Sequence, residues 1–219
     1  MSVFDAYKGI HSGETAILVG TGPSIKEFDV STFAGAMLIG SNEAVYLPYK
    51  MDYYFIGDAG TTSRGYLSDP ESYSNYEPVR RKFVRIKTSG SYAAMPSGIR
   101  HALYYKTNMP TYGGAEPVLN LDLSKGPNDA GSISFEMLQF ALWCGFSRII
   151  LVGQDCSYAQ GSFKTAEVGD ATSRWGEVIF ASWGRVAKFV REFCPEVEVI
   201  SYRPVRLDMF PEVKPGESA

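Results

Sequence analysis

Small and polar residues follow an apolar segment near the start of this sequence, where they could bind a phosphorylated ligand. Gly20-Thr21-Gly22-Pro23-Ser24 comes directly after the apolar run at 16–19. Glycine lets a backbone turn approach a phosphate closely, and the first N–H groups of a following helix attract an anion. Ser24 could cap that helix and offer its hydroxyl to the ligand. The turn therefore indicates an anion-binding site, with candidate residues Gly20, Thr21, Gly22 and Ser24.

The turn does not match either of the common nucleotide-binding signatures. Ile25 stands where the dinucleotide fingerprint has its third glycine, and no Gly-Lys-Ser/Thr follows as in a Walker A loop. A tight connection between a strand and a helix, without any ligand, is therefore the alternative interpretation.

A second small-residue loop, Asn128-Asp129-Ala130-Gly131-Ser132, precedes a predicted helix. Gly131 and Ser132 are candidate ligand contacts for the same reason as the first turn. Helix capping by Asp129 or Ser132 explains the loop equally well, because capping and anion binding use the same N–H groups.

Polar side chains also follow three other apolar runs. Asp58 and Asp155 each come after a run that ends in glycine, and Asn42 comes after the run at 36–40. Carboxylates in such positions could bind a ribose hydroxyl or hold Mg²⁺ against phosphate oxygens, although loop capping is the alternative. Asn42 could recognise a base or sugar edge. Tyr158, just beyond Asp155, could donate a hydrogen bond to a leaving phosphate.

Basic residues cluster at 80–82, with Arg85 and Lys87 nearby. They would attract phosphates if they faced the site, but a solvated strand edge explains such a run as well. His11 and His101 are the only histidines, so neither a zinc site nor a Ser-His-Asp arrangement is expected.

Short apolar runs and helical periodicities define the elements that must position these residues. Strands are predicted at 16–20, 36–40, 53–57, 82–87, 102–106, 148–153 and 197–201. Helices are predicted after Ser132, ending at Gly145, and over 173–193. The second helix is expected to bury Val178, Val186, Phe189, Val190 and Phe193. In the strand at 82–87, polar and apolar residues alternate, which predicts one solvent-exposed face. The tail from Val213 is expected to be frayed. Strands alternate with helices, which predicts an α/β fold: a Rossmann-like, mostly parallel sheet flanked by helices.

The length of 219 residues fits one domain over 1–219, with 60–127 as an irregular, lid-like segment that covers the substrate. The net charge of −3 argues against nucleic-acid binding. No apolar run is long enough to cross a bilayer and no signal peptide is evident, which predicts a cytoplasmic location. The three cysteines lack metal-binding spacing and are expected to be buried free thiols.

Two stretches of the sequence together resemble a known group of proteins. The run 17–25, Ile-Leu-Val-Gly-Thr-Gly-Pro-Ser-Ile, is similar to the opening of the Campylobacter-type sialyltransferases and of the related motility accessory factor and pterin pyrophosphokinase-like proteins. Gly131-Ser132 with an amphipathic helix, Gly145-Phe146 and the run 149–155 resemble their second block. The ending Ser201-Tyr202-Arg203-Pro204 fits as well. The resemblance is strong over 16–58 and 128–160 and absent between 60 and 125.

The resemblance implies a nucleotide bound across the carboxyl edge of the sheet, as part of a CMP-sugar in the sialyltransferases. Thr21, Gly22 and Ser24 would contact phosphate or ribose, Asn42 and Asp58 the donor, Gly131 and Ser132 the nucleotide, and Tyr158 the leaving phosphate. In the related pterin enzymes the fold transfers diphosphate from ATP with Mg²⁺.

This sequence departs from the sialyltransferases in its candidate base. They use a histidine after the second block, and 156–201 contains none. Asp155, Glu167 or Asp170 could replace it. Thr21 also stands where those enzymes have asparagine.

Three hypotheses follow for the function. The first is a glycosyltransferase that uses a CMP-sugar without a required cofactor, with Asp155 and Tyr158 as catalytic residues. The second is a Mg²⁺-dependent diphosphotransferase in which Asp58 and Asp155 hold the metal and Arg85 or Arg203 neutralises phosphate charge. The third is a nucleotide-binding module without catalysis. The expected partners are a nucleotide or nucleotide-sugar and a glycan or small-molecule acceptor, and an oligomer is compatible with the sequence.

Overall fold

A computed structural model describes residues 2–57, 79, 81–86, 102–156, 170–204 and 206–213. Within these ranges the chain forms one eight-stranded sheet in which all neighbouring strands are parallel. The strands are β1 (Thr15–Val19), β2 (Met37–Ser41), β3 (Tyr53–Ile56), β4 (Lys82–Arg85), β5 (Ala102–Tyr105), β6 (Arg148–Val152), β7 (Glu198–Tyr202) and β8 (Glu212–Val213). The predicted α/β class with a mostly parallel sheet is confirmed.

The strand order is β5-β4-β3-β2-β1-β6-β7-β8. The chain builds outward from β1 to β5, returns to place β6 on the other side of β1, and then continues to β8. The direction of winding therefore reverses between β1 and β6, where Val19 lies opposite Val152. Open α/β sheets bind ligands beyond the carboxyl ends of the strands at such a reversal.

Two long helices lie among the described residues, α1 (Ile133–Cys144) and α2 (Asp170–Phe193). Helix α1 begins after Ser132 and ends at Gly145, whose left-handed φ of 86° suits glycine, so both predicted boundaries are confirmed. Both helices pack on the same face of the sheet, in a core that includes Leu18, Phe55 and Leu151. The opposite face packs against short 3-10 segments between β1 and β3, which contribute Ile25, Phe28, Phe33 and Val45.

The inner strands β1, β2, β3 and β6 are buried on both faces, because each face of the sheet is covered there, whereas the edge strand β5 is mostly half-buried. This explains why the strand signals are continuous apolar runs. It also corrects the prediction of a wet face on the strand at 82–87: Lys82 is fully buried, since β4 lies between β3 and β5 and is not an edge. Arg80 and Lys87 lie outside the described residues.

Both helices differ in burial from the prediction. Helix α1 is not amphipathic, because its polar residues Glu136 and Gln139 are as fully buried as its apolar ones. In α2 the predicted core residue Phe193 is 56% exposed, whereas Trp183, which the periodicity did not single out, is fully buried.

The end of the chain also differs from the prediction of a frayed tail from Val213. Val213 is buried in β8, which pairs with β7. The three cysteines are buried free thiols, as predicted. Within the described ranges, none of the helices has the length and apolar character that crossing a membrane requires. A single domain over 1–219 stays a prediction, and most of the segment proposed as a lid lies outside the described residues.

Candidate functional site

The turns after β1 and β6 are bound to each other at the reversal point of the sheet. The Gly20 N–H donates to Val152 O at 2.8 Å, and the Gly22 N–H donates to Gly153 O at 2.8 Å. A Cβ on Gly20 would overlap Gly153 O, and a Cβ on Gly22 would overlap the Asp155 carboxylate. Both glycines are therefore required by the packing of the two turns, independently of any ligand. Thr21 lies half-buried between them.

Asp155 holds the first turn in place. It is 3% exposed, and it accepts a hydrogen bond from the Ser24 N–H at 2.8 Å and a second one from the Ser24 hydroxyl. Burial raises the pKa of the Asp155 carboxyl, and the hydrogen bonds from Ser24 oppose that rise. Asp155 thus joins the two turns across the crevice between β1 and β6.

These contacts correct the expected geometry at Ser24. The segment after the turn is a short 3-10 helix, Pro23–Glu27, and Gly22 occupies its N-cap position without a side-chain hydrogen bond. Ser24 does not cap it, and the Ser24 N–H that was expected to point at an anion binds Asp155 instead. The reason is that Asp155, which follows the neighbouring strand β6, places a buried carboxylate beside this N–H, and a charged oxygen is a strong hydrogen-bond acceptor.

Gln154 lies in the same crevice and was not singled out by the sequence. Its Oε1 accepts a hydrogen bond from the Ser134 hydroxyl at 2.7 Å, and its buried Nε2 has no hydrogen-bond partner among the residues that the structure describes. This Nε2 atom is next to Gly20, since a Cβ there would lie 2.7 Å from it. An unpaired buried donor is costly, and a ligand oxygen would satisfy it. The only sequence signal was its place directly after a strand and its glycine.

The loop before α1 meets this crevice from the other side. Ser132 is the N-cap of α1, and its Oγ accepts from the Ser134 N–H at 3.3 Å, so the predicted capping by Ser132 is confirmed. Gly131 has a φ of +102°, and its N–H donates to Asp129 Oδ1 at 2.9 Å. The Ser134–Gln154 hydrogen bond links the start of α1 to the crevice.

Asn42 lies at the same edge of the sheet, directly after β2, the neighbour of β1. It is half-buried, has a φ of 49°, and its backbone carbonyl accepts a hydrogen bond from the Tyr54 hydroxyl. The structure thus brings Gly20, Ser24, Asn42, Ser132 and Asp155 to one edge. The predicted contacts Asp58 and Tyr158 lie outside the described residues.

A buried charged cluster lies further along this edge, beyond β3 and β4. Arg85 Nη1 is 2.5 Å from Glu136 Oε1 and 3.4 Å from Asp129 Oδ2, and the Tyr105 hydroxyl donates to Glu136. Burial raises the pKa of Glu136 to about 7, although the neighbouring Arg85 opposes the rise. Arg85 is therefore paired with two carboxylates. Arg203, the other arginine expected to neutralise phosphate, pairs with Glu27.

The described residues do not bring together three acidic, histidine or cysteine side chains that could hold a metal ion. Asp155, one of the two ligands expected to bind Mg²⁺, has both carboxylate oxygens engaged by Ser24. Its partner Asp58 lies outside the described ranges. The described donor set by itself does not fit Mg²⁺, which is usually bound through one or two carboxylates that are free to coordinate.

The described histidine, His11, lies at the opposite edge of the sheet. It precedes β1, and its ring is hydrogen-bonded to Glu14 at 3.0 Å and to Tyr53, the first residue of β3, at 2.6 Å. His11 therefore cannot act as a base in the crevice.

No protein-family model matches the chain, and no curated protein matches it. Solved structures do. The fold resembles that of the sialyltransferase CstII. The structure of CstII from Campylobacter jejuni in complex with the substrate analogue CMP-3FNeuAc aligns with a TM-score of 0.53 at 11% identity, covering 94% of this chain and 88% of that chain. Another, of CST-II with a trisaccharide acceptor and CMP, aligns with a TM-score of 0.47 at 14% identity, with the same coverage.

The likeness to CstII supports the predicted resemblance to the sialyltransferases at the level of the fold. It extends over nearly the whole chain, including parts of 60–125 where the sequence showed no resemblance. The likeness to the motility accessory factor and pterin pyrophosphokinase-like proteins stays a prediction.

Proposed function

We propose that this chain is a nucleotide-sugar-dependent glycosyltransferase with a CMP-sugar as its donor. The observation that carries the proposal is the buried Nε2 of Gln154, for which the described part of the chain offers no hydrogen-bond partner, at the joined turns where the strand order reverses. This is the position at which open α/β sheets bind nucleotides. The fold of CstII, whose structure contains CMP-3FNeuAc, supports a nucleotide-sugar as the ligand class.

In this proposal the Gln154 amide donates a hydrogen bond to a phosphate or ribose oxygen of the donor. Gly131 and Ser132 at the start of α1 lie against the nucleotide, where the positive end of the helix dipole favours the phosphate. Asn42, which follows β2, contacts the donor. Asp58 and Tyr158 lie outside the described residues, and we propose from the sequence alone that Asp58 contacts the donor and that Tyr158 donates to the leaving phosphate. Gly20, Thr21, Gly22 and Ser24 form the wall of the site that Asp155 holds in place.

The proposed reaction is a substitution at the anomeric carbon of the donor sugar. An acceptor hydroxyl, from a glycan or a small molecule, attacks this carbon while its bond to the phosphate oxygen breaks, and CMP leaves with the bonding electrons. The hydroxyl proton passes to a base, for which we propose Asp155. A pKa raised by burial favours that role, but the carboxylate must first release a hydrogen bond from Ser24. The proposed transfer needs no metal cofactor.

A thermal-shift screen with CMP, CDP, UDP, GDP and ATP, each with and without Mg²⁺, tests the nucleotide class. We expect CMP to raise the unfolding midpoint without metal, by roughly 5–10 °C at a concentration of about 100 Kd, because a ligand that binds only the folded state stabilises it. A shift by ATP that requires Mg²⁺ would support the diphosphotransferase instead. If no nucleotide moves the midpoint, the proposal is wrong.

Gln154→Leu tests the observation that carries the proposal. The substitution removes the unpaired amide, so we expect it to reduce the CMP-induced shift while Lys188→Gln, an exposed change on α2, leaves it unchanged. If CMP raises the unfolding midpoint of Gln154→Leu as much as that of the wild type, Gln154 does not bind the nucleotide.

A nucleotide-binding module without catalysis is the second candidate. It is favoured by the hydrogen bonds from Ser24 to both Asp155 oxygens, which leave the proposed base engaged. Release of CMP from a CMP-sugar, followed with and without glycan acceptors, separates the two candidates. Binding without any release would support the module.

A further inference from the structure

Two exposed aromatic side chains, Trp175 and Tyr112, are in contact with each other beside the start of α1. Trp175, in the first half of α2, is 40% exposed, and Tyr112, in the loop after β5, is 42% exposed. Their ring centroids are 5.4 Å apart and the rings meet edge to face at 62°. Both rings are therefore partly exposed to solvent, and a planar ligand can stack on an exposed aromatic ring.

The pair is fixed to the backbone of the candidate site. The Trp175 indole N–H donates to Gly131 O at 3.2 Å, which sets the orientation of the ring. A Cβ on Gly131 would lie 3.2 Å from Tyr112 Cβ, so the glycine lets the aromatic loop pack closely against the turn before α1.

The loop that carries Tyr112 is itself held in place. Arg185 of α2 donates from Nη1 to Thr111 O at 2.6 Å, from Nε to Glu116 Oε1 at 3.0 Å, and from Nη2 to Ala115 O. Thr111 is fully buried, and its N–H donates to Asp129 O at 2.6 Å. The two rings are therefore pre-organised, which lowers the entropy lost when a ligand binds.

A continuous set of contacts connects the aromatic pair to the crevice. Trp175 binds Gly131, the next residue Ser132 caps α1, and Ser134 in the first turn of α1 binds Gln154. The start of α1 thus lies between the unpaired Gln154 amide and the aromatic pair. A nucleotide whose charged phosphate is near Gln154 would place its planar base on the side of Trp175 and Tyr112.

We propose that Trp175 and Tyr112 form the surface on which the base of the bound nucleotide stacks. The inference rests on the proposed nucleotide site and adds a recognition element for the base. Stacking on an aromatic ring is available to every base, so this contact contributes affinity more than it selects one base. Trp175 contributes the larger ring, and Tyr112 packs against it.

Binding measurements with CMP and ribose 5-phosphate, by isothermal titration calorimetry, test the inference. Ribose 5-phosphate keeps the sugar and phosphate but lacks the base. We expect Trp175→Ala to weaken CMP binding by about tenfold or more, as loss of a stacked base does elsewhere, and to leave ribose 5-phosphate binding unchanged. Trp175→Phe retains a ring and should recover most of the CMP affinity, and Tyr112→Ala should weaken CMP binding less than Trp175→Ala.

Phe193→Ala is the matched control, because Phe193 is an exposed aromatic residue at the far end of the same helix. It should leave both affinities unchanged. Trp175 is also expected to report binding through its fluorescence: CMP should quench the wild type, and Trp175→Phe should lose that signal.

Three results would overturn the inference. Equal CMP affinities of Trp175→Ala and the wild type would show that the base does not stack there, while the nucleotide site itself would stand. Equal losses for CMP and ribose 5-phosphate would show that Trp175 acts only by holding Gly131. If the wild type binds no nucleotide, the proposed function fails together with the inference.

Discussion

Two buried carboxylates at the carboxyl edge of the sheet have different surroundings and therefore different roles. Among the described residues, Asp155 accepts hydrogen bonds from the backbone and the hydroxyl of Ser24, and it joins two turns. Glu136 instead faces Arg85, Tyr105 and, across the arginine, Asp129. Burial makes Glu136 costly to ionise and raises its pKa to about 7. Arg85 opposes this rise but also faces the carboxylate of Asp129.

The raised pKa of Glu136 predicts a pH dependence of stability. Because the folded-state pKa of about 7 lies above the ordinary value of 4.5, the native state binds this proton more tightly than the unfolded state. The resulting stabilisation is complete below pH 4.5 and is lost as the pH rises through 7. Protonation of Glu136 therefore makes the free energy of unfolding greater at low pH than above pH 7, by on the order of 3 kcal/mol.

Glu136→Gln cannot ionise, so we expect its free energy of unfolding to fall less between pH 5 and pH 7.5 than that of the wild type. Urea unfolding at both pH values measures this difference. Glu192→Gln, an exposed change on α2, is the control and should keep the wild-type dependence. A pH dependence in Glu136→Gln equal to that of the wild type would contradict the prediction.

At the scale of elements, helix α1 organises the loop that precedes it. Gln139 is fully buried, and its Oε1 accepts from the N–H groups of Asn120 and Asn128 at 2.7 and 2.8 Å. Its Nε2 donates to the carbonyls of Asn128 and Phe135, both at 2.9 Å. The amide of Gln139 thus accepts two hydrogen bonds and donates two, and these bonds connect helix α1 to the loop that precedes it.

Gln139→Leu keeps the size of the side chain but leaves the backbone N–H groups of Asn120 and Asn128, the second of them in a buried hydrogen bond, without their acceptor. We expect it to lower the free energy of unfolding by about 2–5 kcal/mol. Lys125→Leu changes an exposed residue of the same loop and should stay within about 0.5 kcal/mol of the wild type. Denaturant unfolding measures both, and hydrogen exchange should show faster exchange at Asn120 and Asn128 in Gln139→Leu alone.

At the scale of the whole molecule, the N-terminal segment packs against β4, β5 and helix α1. Phe4 is fully buried, with its ring 5.2 Å from the rings of Phe83 and Tyr105 and 6.0 Å from that of Phe140. The Trp143 indole N–H donates to Phe4 O at 2.7 Å. Residues that precede the first strand are therefore part of the main core.

We expect Phe4→Ala to lower the free energy of unfolding by about 3–5 kcal/mol, because it opens a cavity among aromatic rings. Ile10→Ala, in the same segment but 46% exposed, should cost less than about 1 kcal/mol. Guanidinium unfolding of both variants provides the measurement. If Phe4→Ala lowers the free energy of unfolding as little as Ile10→Ala does, the N-terminal segment is not part of the core.

Local signals were sufficient for most elements of the fold. The strands and the ends of α1 follow from apolar runs, from Ser132 and from Gly145, because these depend on neighbouring residues only. Two of the predictions about burial failed for the same reason. Lys82 and Glu136 are polar residues in elements that the fold covers on every side, and a periodicity cannot show what packs against it.

The sequence by itself determined the parallel α/β class and brought attention to the Gly20–Ser24 turn, because strand runs and glycine turns are encoded within a few residues. Only the tertiary structure decided what that turn does. Ser24 meets Asp155 across 131 residues of chain, and Arg85 meets Glu136 across 51. The sequence did not single out Gln154 and Trp175, because their contacts with Ser134 and Gly131 join residues that are distant along the chain.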